Sequence, residues 1–84
     1  MDEIEIHHHA LQRIEERGAS IEEIKETMRG GEEFPAKYER TGFRKNFSFD
    51  NLWNGKHYAN KQIECYCVKE NNHWLVITVI VKYY

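Results

Sequence analysis

Residues 73–84 read HWLVITVIVKYY, a run without Gly or Pro in which β-branched and aromatic side chains predominate. Such a run suits a pleated, half-buried surface and is too apolar for an exposed edge, so it predicts a central strand. Side chains alternate between the two faces of a strand. Leu75, Ile77, Val79, Val81 and Tyr83 therefore share one wall, and Trp74, Val76, Thr78, Ile80, Lys82 and Tyr84 share the other. The odd wall is core-like. The even wall carries a hydroxyl at its centre and an amine and a phenol near its end, which burial alone does not require.

Working outward, residues 57–68 form a second strand that hairpins into the first, and the parity of the connecting loop decides which walls coincide. An even loop puts Ile63, Cys65 and Cys67 beside Trp74, Val76, Thr78 and Ile80, and buries Thr78. An odd loop over residues 70–72, with Asn72 left-handed, joins them to Leu75, Ile77, Val79 and Val81 instead. The odd loop brings the apolar sets together and is the expectation. It leaves Gln62, Glu64, Tyr66, Thr78 and Lys82 on the face turned away from the core.

Before this hairpin, residues 34–49 alternate aromatics with bases, and two strands are expected at about 36–40 and 43–49, turning at Thr41-Gly42. Residues 50–55, DNLWNG, read as a loop. Upstream, residues 8–17 form a short helix with Leu11 and Ile14 as its apolar stripe and Gly18 as its C′ residue. Ser20 caps a second helix, with Glu23 three residues on completing a capping box, and Ile21, Ile24 and Met28 facing inward. Gly30 and Gly31 stop it. Residues 2–6 alternate Glu with Ile and fit either a short edge strand or an ordered lead-in. The sum is one α+β domain over residues 1–84: two N-terminal helices packed on a curved antiparallel sheet of about four strands.

At 84 residues the chain has room for one modest core. No stretch approaches the roughly 20 apolar residues of a membrane span, and residues 1–6 are acidic where a secretory signal is basic, so a cytoplasmic protein is expected. Net charge is -2, but ten acids face four bases in residues 1–33, whereas eight bases face four acids in residues 34–84. A basic half can meet a polyanion, although solvated faces of both signs explain the charges equally well. Cys65 and Cys67 lie two apart in a strand, badly placed to bond each other and without a second pair for zinc, which fits buried apolar thiols.

Four segments together, HHHALQRIEERGAS (7–20), FPAKYERTGFRKNFSF (34–49), HYANKQIECY (57–66) and TVIVKYY (78–84), resemble the bacterial and archaeal family called domain of unknown function 4258. The opening His-Ala-x-x-Arg-x-x-x-Arg-Gly, residues 9–18, carries much of the resemblance. It implies kinship with barnase-like toxin endoribonucleases, found in toxin-antitoxin pairs and in polymorphic or contact-dependent toxins. The implied activity is metal-independent cleavage of RNA, with a neutralising antitoxin or immunity protein as partner.

Such cleavage needs a base for the ribose 2′-OH, cations for the phosphate and an acid for the leaving 5′ oxygen. His9 is the leading acid/base candidate, since imidazole titrates near neutrality; capping the helix is the competing role. His7 and His8 are weaker candidates. His9, Arg13 and Arg17 recur at i, i+4 and i+8 on one helix face. Arg13 is the best phosphate clamp, unless it pairs with Glu16 or Glu33, and Arg17 suits the helix C-terminus. Arg44 is a second phosphate ligand. Glu64 and Thr78 share the open face as a base and a hydroxyl donor, or as an ordinary cross-strand pair. Lys37, Arg40, Lys45, Lys61, Gln62 and Tyr84 are substrate-side candidates. No metal or other cofactor is expected, because the His triplet lacks a further ligand at the usual spacing. A non-catalytic RNA- or protein-binding module is the alternative. His9 rides on a helix that packs against the core wall, so it can meet Thr78 only around an edge or end of the sheet.

Overall fold

The computed structural model describes residues 3–84. Two helices, α1 (His8–Glu16) and α2 (Ile21–Gly30), cover one face of a sheet formed by β1 (Glu3–Ile6), β2 (Glu32–Pro35), β3 (Thr41–Trp53), β4 (Lys56–Glu70) and β5 (His73–Tyr83). The order is β1-β5-β4-β3-β2, with β1 parallel to β5 and every other pair antiparallel. The α+β class stands, but the sheet is mixed and has five strands. The additional strand is the first, the edge strand that is one of the two readings of residues 2–6. Glu3–Ile6 pairs with the start of β5, while Asp2 of the expected lead-in lies outside the described residues.

Residues 36–40 are not a strand. Tyr38 and Glu39 take successive left-handed conformations (φ 61° and 59°), which no ladder accommodates, and the strand lies just upstream at Glu32–Pro35. Nor is DNLWNG a loop. β3 continues through a register shift between Ser48 and Asn51 to Trp53, and the chain reverses at Asn54-Gly55, both with positive φ, as a two-residue turn of type I′ requires.

Parity in the last hairpin is the main correction. Glu70 pairs with His73, so the loop is the even pair Asn71-Asn72, with Asn71 rather than Asn72 left-handed (φ 53°). Near the turn the even wall is therefore inward: Cys67 faces Val76, both fully buried, and Trp74 packs on the core. A bulge then skips Ile77, since Tyr66 pairs with Thr78 and Cys67 with Val76. One extra residue flips every later side chain. Beyond it Cys65 faces Val79 and Ile63 faces Val81, as the odd loop had predicted, with Thr78, Ile80 and Lys82 outward. Neither wall of β5 is core along its whole length.

The core joins Ile14 of α1 and Ile24 and Met28 of α2 to Phe43, Ile63, Cys65, Cys67, Val76 and Val79. Ala10 and Thr27 complete the buried helix positions; Leu11 and Ile21, expected inward, are largely exposed. The capping box at Ser20 and Glu23 forms as expected. A second, aromatic cluster pins the β3–β4 arm to the helices. Trp53 stacks on Tyr83 (4.8 Å, 15°), Phe49 and Tyr58 pack around the same ring, and the Tyr83 hydroxyl donates to Arg17 O (2.7 Å). This approach needs Gly18 (φ 78°), because a Cβ there would run into Tyr83 and Trp53.

Candidate functional site

β1 ends opposite Val76, and the last rung of the β1–β5 ladder is His7 N–H to Val76 O (3.0 Å). From Ile77 onward the edge of β5 faces helix α1 in place of a strand. Buried Ala10 and Ile14 fix the rotation of α1, which turns His9 and Arg13 toward that edge. A cleft of about 290 Å³ opens there, lined by His9, Ala10, Arg13, Arg17, Ile77, Thr78 and Val79. The Arg17 guanidinium reaches across it to donate to Val79 O, satisfying a carbonyl on the strand edge. The bulge at Ile77 turns the Thr78 side chain outward beside this edge.

The chemistry of the lining is one-sided. It has an imidazole, two guanidinia and a hydroxyl, and no carboxylate. Among the described residues no carboxylate pairs with Arg13, so the expected alternatives, Glu16 and Glu33, do not neutralise it. A site of this composition attracts an anion and supplies one proton-transfer group. His9 is exposed; its backbone N–H is capped by His7 Nδ1 (3.2 Å), so His7 takes the N-cap role and the His9 ring is spared it.

His9, Arg13 and Thr78 thus come together around the sheet edge. Arg44 and Glu64 do not join them. They lie on the open face, where Glu64 is 4% exposed and sits between Arg44 (3.7 Å), Lys82 (3.0 Å) and the Tyr66 hydroxyl (3.2 Å). Arg44 also bonds Glu32 (3.2 Å) and lies 4.5 Å over the Phe34 ring. Burial first, and the adjacent Glu64 carboxylate second, hold the Tyr66 phenol above its ordinary range. Gln62 donates to Asn46 (3.0 Å), which also accepts from Tyr84 (2.9 Å). No buried side-chain polar atom among the described residues lacks a partner, so this face is an integrated network rather than a set of reactive groups.

The remaining basic candidates divide by strand parity. Lys45 and Lys61 point to the helix-covered side. Lys45 pairs with Glu26 (2.9 Å), and Lys61, 6% exposed, is held by Glu23 (2.8 Å) and Gly18 O (3.0 Å). Both brace the helices against the sheet and neither reaches the cleft. Lys37 and Arg40 lie in the loop after β2. The sequence sets Arg17 on the same helix face as His9 and Arg13 and assigns it the role of a helix-end cation. Its i+8 spacing from His9 was the signal for a place in the cleft.

His7 stacks with His8 and with His9, and one ring nitrogen from each of the three lies within 4.8 Å of the others. Nitrogens on a single tetrahedral zinc are about 3.3 Å apart, given bonds of about 2.0–2.1 Å. The triplet would have to contract to hold an ion, and His7 Nδ1 is already engaged.

The family described as a domain of unknown function (DUF4258) matches residues 6–81 of the chain. No curated protein and no solved structure matches it. No helix among the described residues is long and apolar enough to cross a membrane.

Proposed function

The chain belongs to the DUF4258 family, and on that premise we propose that it is a metal-independent endoribonuclease of toxin type, acting in the cleft between α1 and the free edge of β5. One observation carries the reading: residues far apart in sequence, His9, Arg13 and Arg17 on one side and Thr78 on the other, line one cavity that has cations and no carboxylate. Cations without a carboxylate partner around an imidazole suit a phosphodiester better than a neutral substrate.

In the proposed reaction His9 takes the proton from the ribose 2′-OH as its oxygen attacks the adjacent phosphorus. The bond from phosphorus to the 5′ oxygen breaks, that oxygen takes a proton from water, and a 2′,3′-cyclic phosphate and a 5′-OH remain. Arg13 offsets the charge that develops on the non-bridging oxygens, Arg17, held by Val79 O, adds to it, and the Thr78 hydroxyl donates a further hydrogen bond. Arg44 and Glu64 have a different part in this proposal. They hold the open face in shape and present it to RNA, outside the reacting atoms. A neutralising antitoxin or immunity protein with an acidic surface is the expected partner, since it would meet the same cations.

The test is incubation of the protein with single-stranded RNA in EDTA. Cleavage to cyclic-phosphate ends, slowed about 10²–10⁴-fold in His9→Ala, is the expected result. Intact RNA, bound in a salt-sensitive way, would make the chain a non-catalytic binding module instead.

A further inference from the structure

On the open face, a second cavity of about 640 Å³ lies beyond Tyr66. It is lined by Phe34, Pro35, Ala36, Lys37, Tyr38, Arg40 and Tyr66. Its size is that of ordinary small-ligand pockets. Its walls are aromatic: Phe34 and Tyr66 meet edge to face (6.0 Å, 84°), and Phe34 closes over Gly42, where any Cβ would strike its ring. Over this opening stands Tyr38, 84% exposed, with Arg40 above its ring at 6.0 Å. An aromatic ring that exposed contributes nothing to the core. It is held there by a left-handed backbone at both Tyr38 and Glu39, a conformation that L side chains disfavour and that is found where function positions a loop.

Two features identify the occupant. The first is charge: no described carboxylate pairs with Lys37 or Arg40, whereas Arg44, Lys45, Lys61 and Lys82 are all engaged. Cations without a carboxylate partner, beside an aromatic wall, complement an unpaired base with its phosphate. The second is alignment. Phe34, Gly42, Tyr66 and Thr78 are successive register partners across β2, β3, β4 and β5, so one row runs from the groove to the cleft. Tyr66 lines the groove, and its direct partner Thr78, about 5 Å away, lines the cleft.

We propose that this groove is a nucleobase subsite that takes one unpaired base of single-stranded RNA, stacked on Tyr38, while the strand crosses the sheet along that row toward the cleft. This rests on the ribonuclease reading for its substrate. The subsite makes the protein selective for unpaired RNA, because a base within a duplex offers no free face to Tyr38.

Binding can be measured without cleavage in the His9→Ala protein, using fluorescence anisotropy of a labelled single-stranded hexaribonucleotide at fixed salt. Adding Tyr38→Asn, a residue that accepts the left-handed backbone, is expected to weaken binding about tenfold, while Tyr38→Phe keeps it. A blunt RNA duplex of the same sequence should bind weakly and equally to all three proteins. Equal affinity of Tyr38→Asn and its parent for the single strand, or an equal loss for strand and duplex, overturns the subsite. Cleavage by the wild-type protein is scored separately. Intact RNA with Tyr38-dependent binding ends the nuclease reading and leaves the subsite, and cleavage with Tyr38-independent binding does the reverse.

Discussion

Glu64 and Cys65 are neighbours in β4, both almost without solvent contact, and they face opposite ways. Cys65 looks into aliphatic neighbours, and burial pushes its thiol far above the ordinary value. Glu64 stays compatible with burial by collecting Arg44, Lys82 and Tyr66 around it. Around Cys65 the sheet is stabilised by excluding water and around Glu64 by pairing charges, and of these two surroundings only the second is compatible with a polar ligand.

The largest effect should come from the apolar side. Ile63→Ala removes a fully buried side chain beside these two residues, and a loss of about 2–5 kcal/mol in denaturant unfolding is expected. A loss below 1 kcal/mol would mean that the helix-covered face is not the main core. Glu64→Gln comes next, at about 1–3 kcal/mol. It falls short of the figure for a fully buried pair because Arg44 and Lys82 are 36% and 59% exposed and rehydrate when the carboxylate is lost. If it matches Ile63→Ala, the two faces are equally dry and the contrast fails.

Alkali tests the apolar side again. Burial raises the Cys67 thiol from 9.0 to about 12, and Cys65 moves the same way. A thiol raised in the folded state binds its proton when the unfolded chain has lost it, so stability is full below about pH 9 and falls between pH 9 and 12. The slope is about 1.4 kcal/mol per pH unit for each thiol. Unfolding followed by circular dichroism from pH 8 to 11 checks this, and a flat profile would show that the thiols are not buried. The smallest effect belongs to the rim. Lys45→Ala breaks a pair with Glu26 whose members are 29% and 58% exposed, and should cost about 0–1 kcal/mol, vanishing at high salt.

Much of this contrast was legible in residues 73–84. Their alternation correctly separated a polar wall from an apolar one beyond Thr78, and the His9, Arg13, Arg17 spacing marked one side of the cleft. Hidden from sequence was the bulge at Ile77, which corrects an even hairpin loop to the phase of an odd one. A bulge in a uniformly β-branched run leaves no compositional trace, because Val, Ile and Thr fit either side of it. The Asn54-Gly55 signal was present but lay within a segment read as loop, and the left-handed Tyr38 and Glu39 defied residue preference. Arg44 and Glu64 looked like site residues because sequence reports which face they occupy, not how fully their neighbours satisfy them.

The central claim is that the cleft directs a ribose hydroxyl against its own phosphate. Its most direct test is an RNA oligonucleotide carrying a single 2′-deoxy sugar on the 5′ side of the bond that the protein cuts. The account predicts that this bond is left intact while affinity for the strand is unchanged. Cleavage at the modified position at the rate of the all-ribose strand would contradict it.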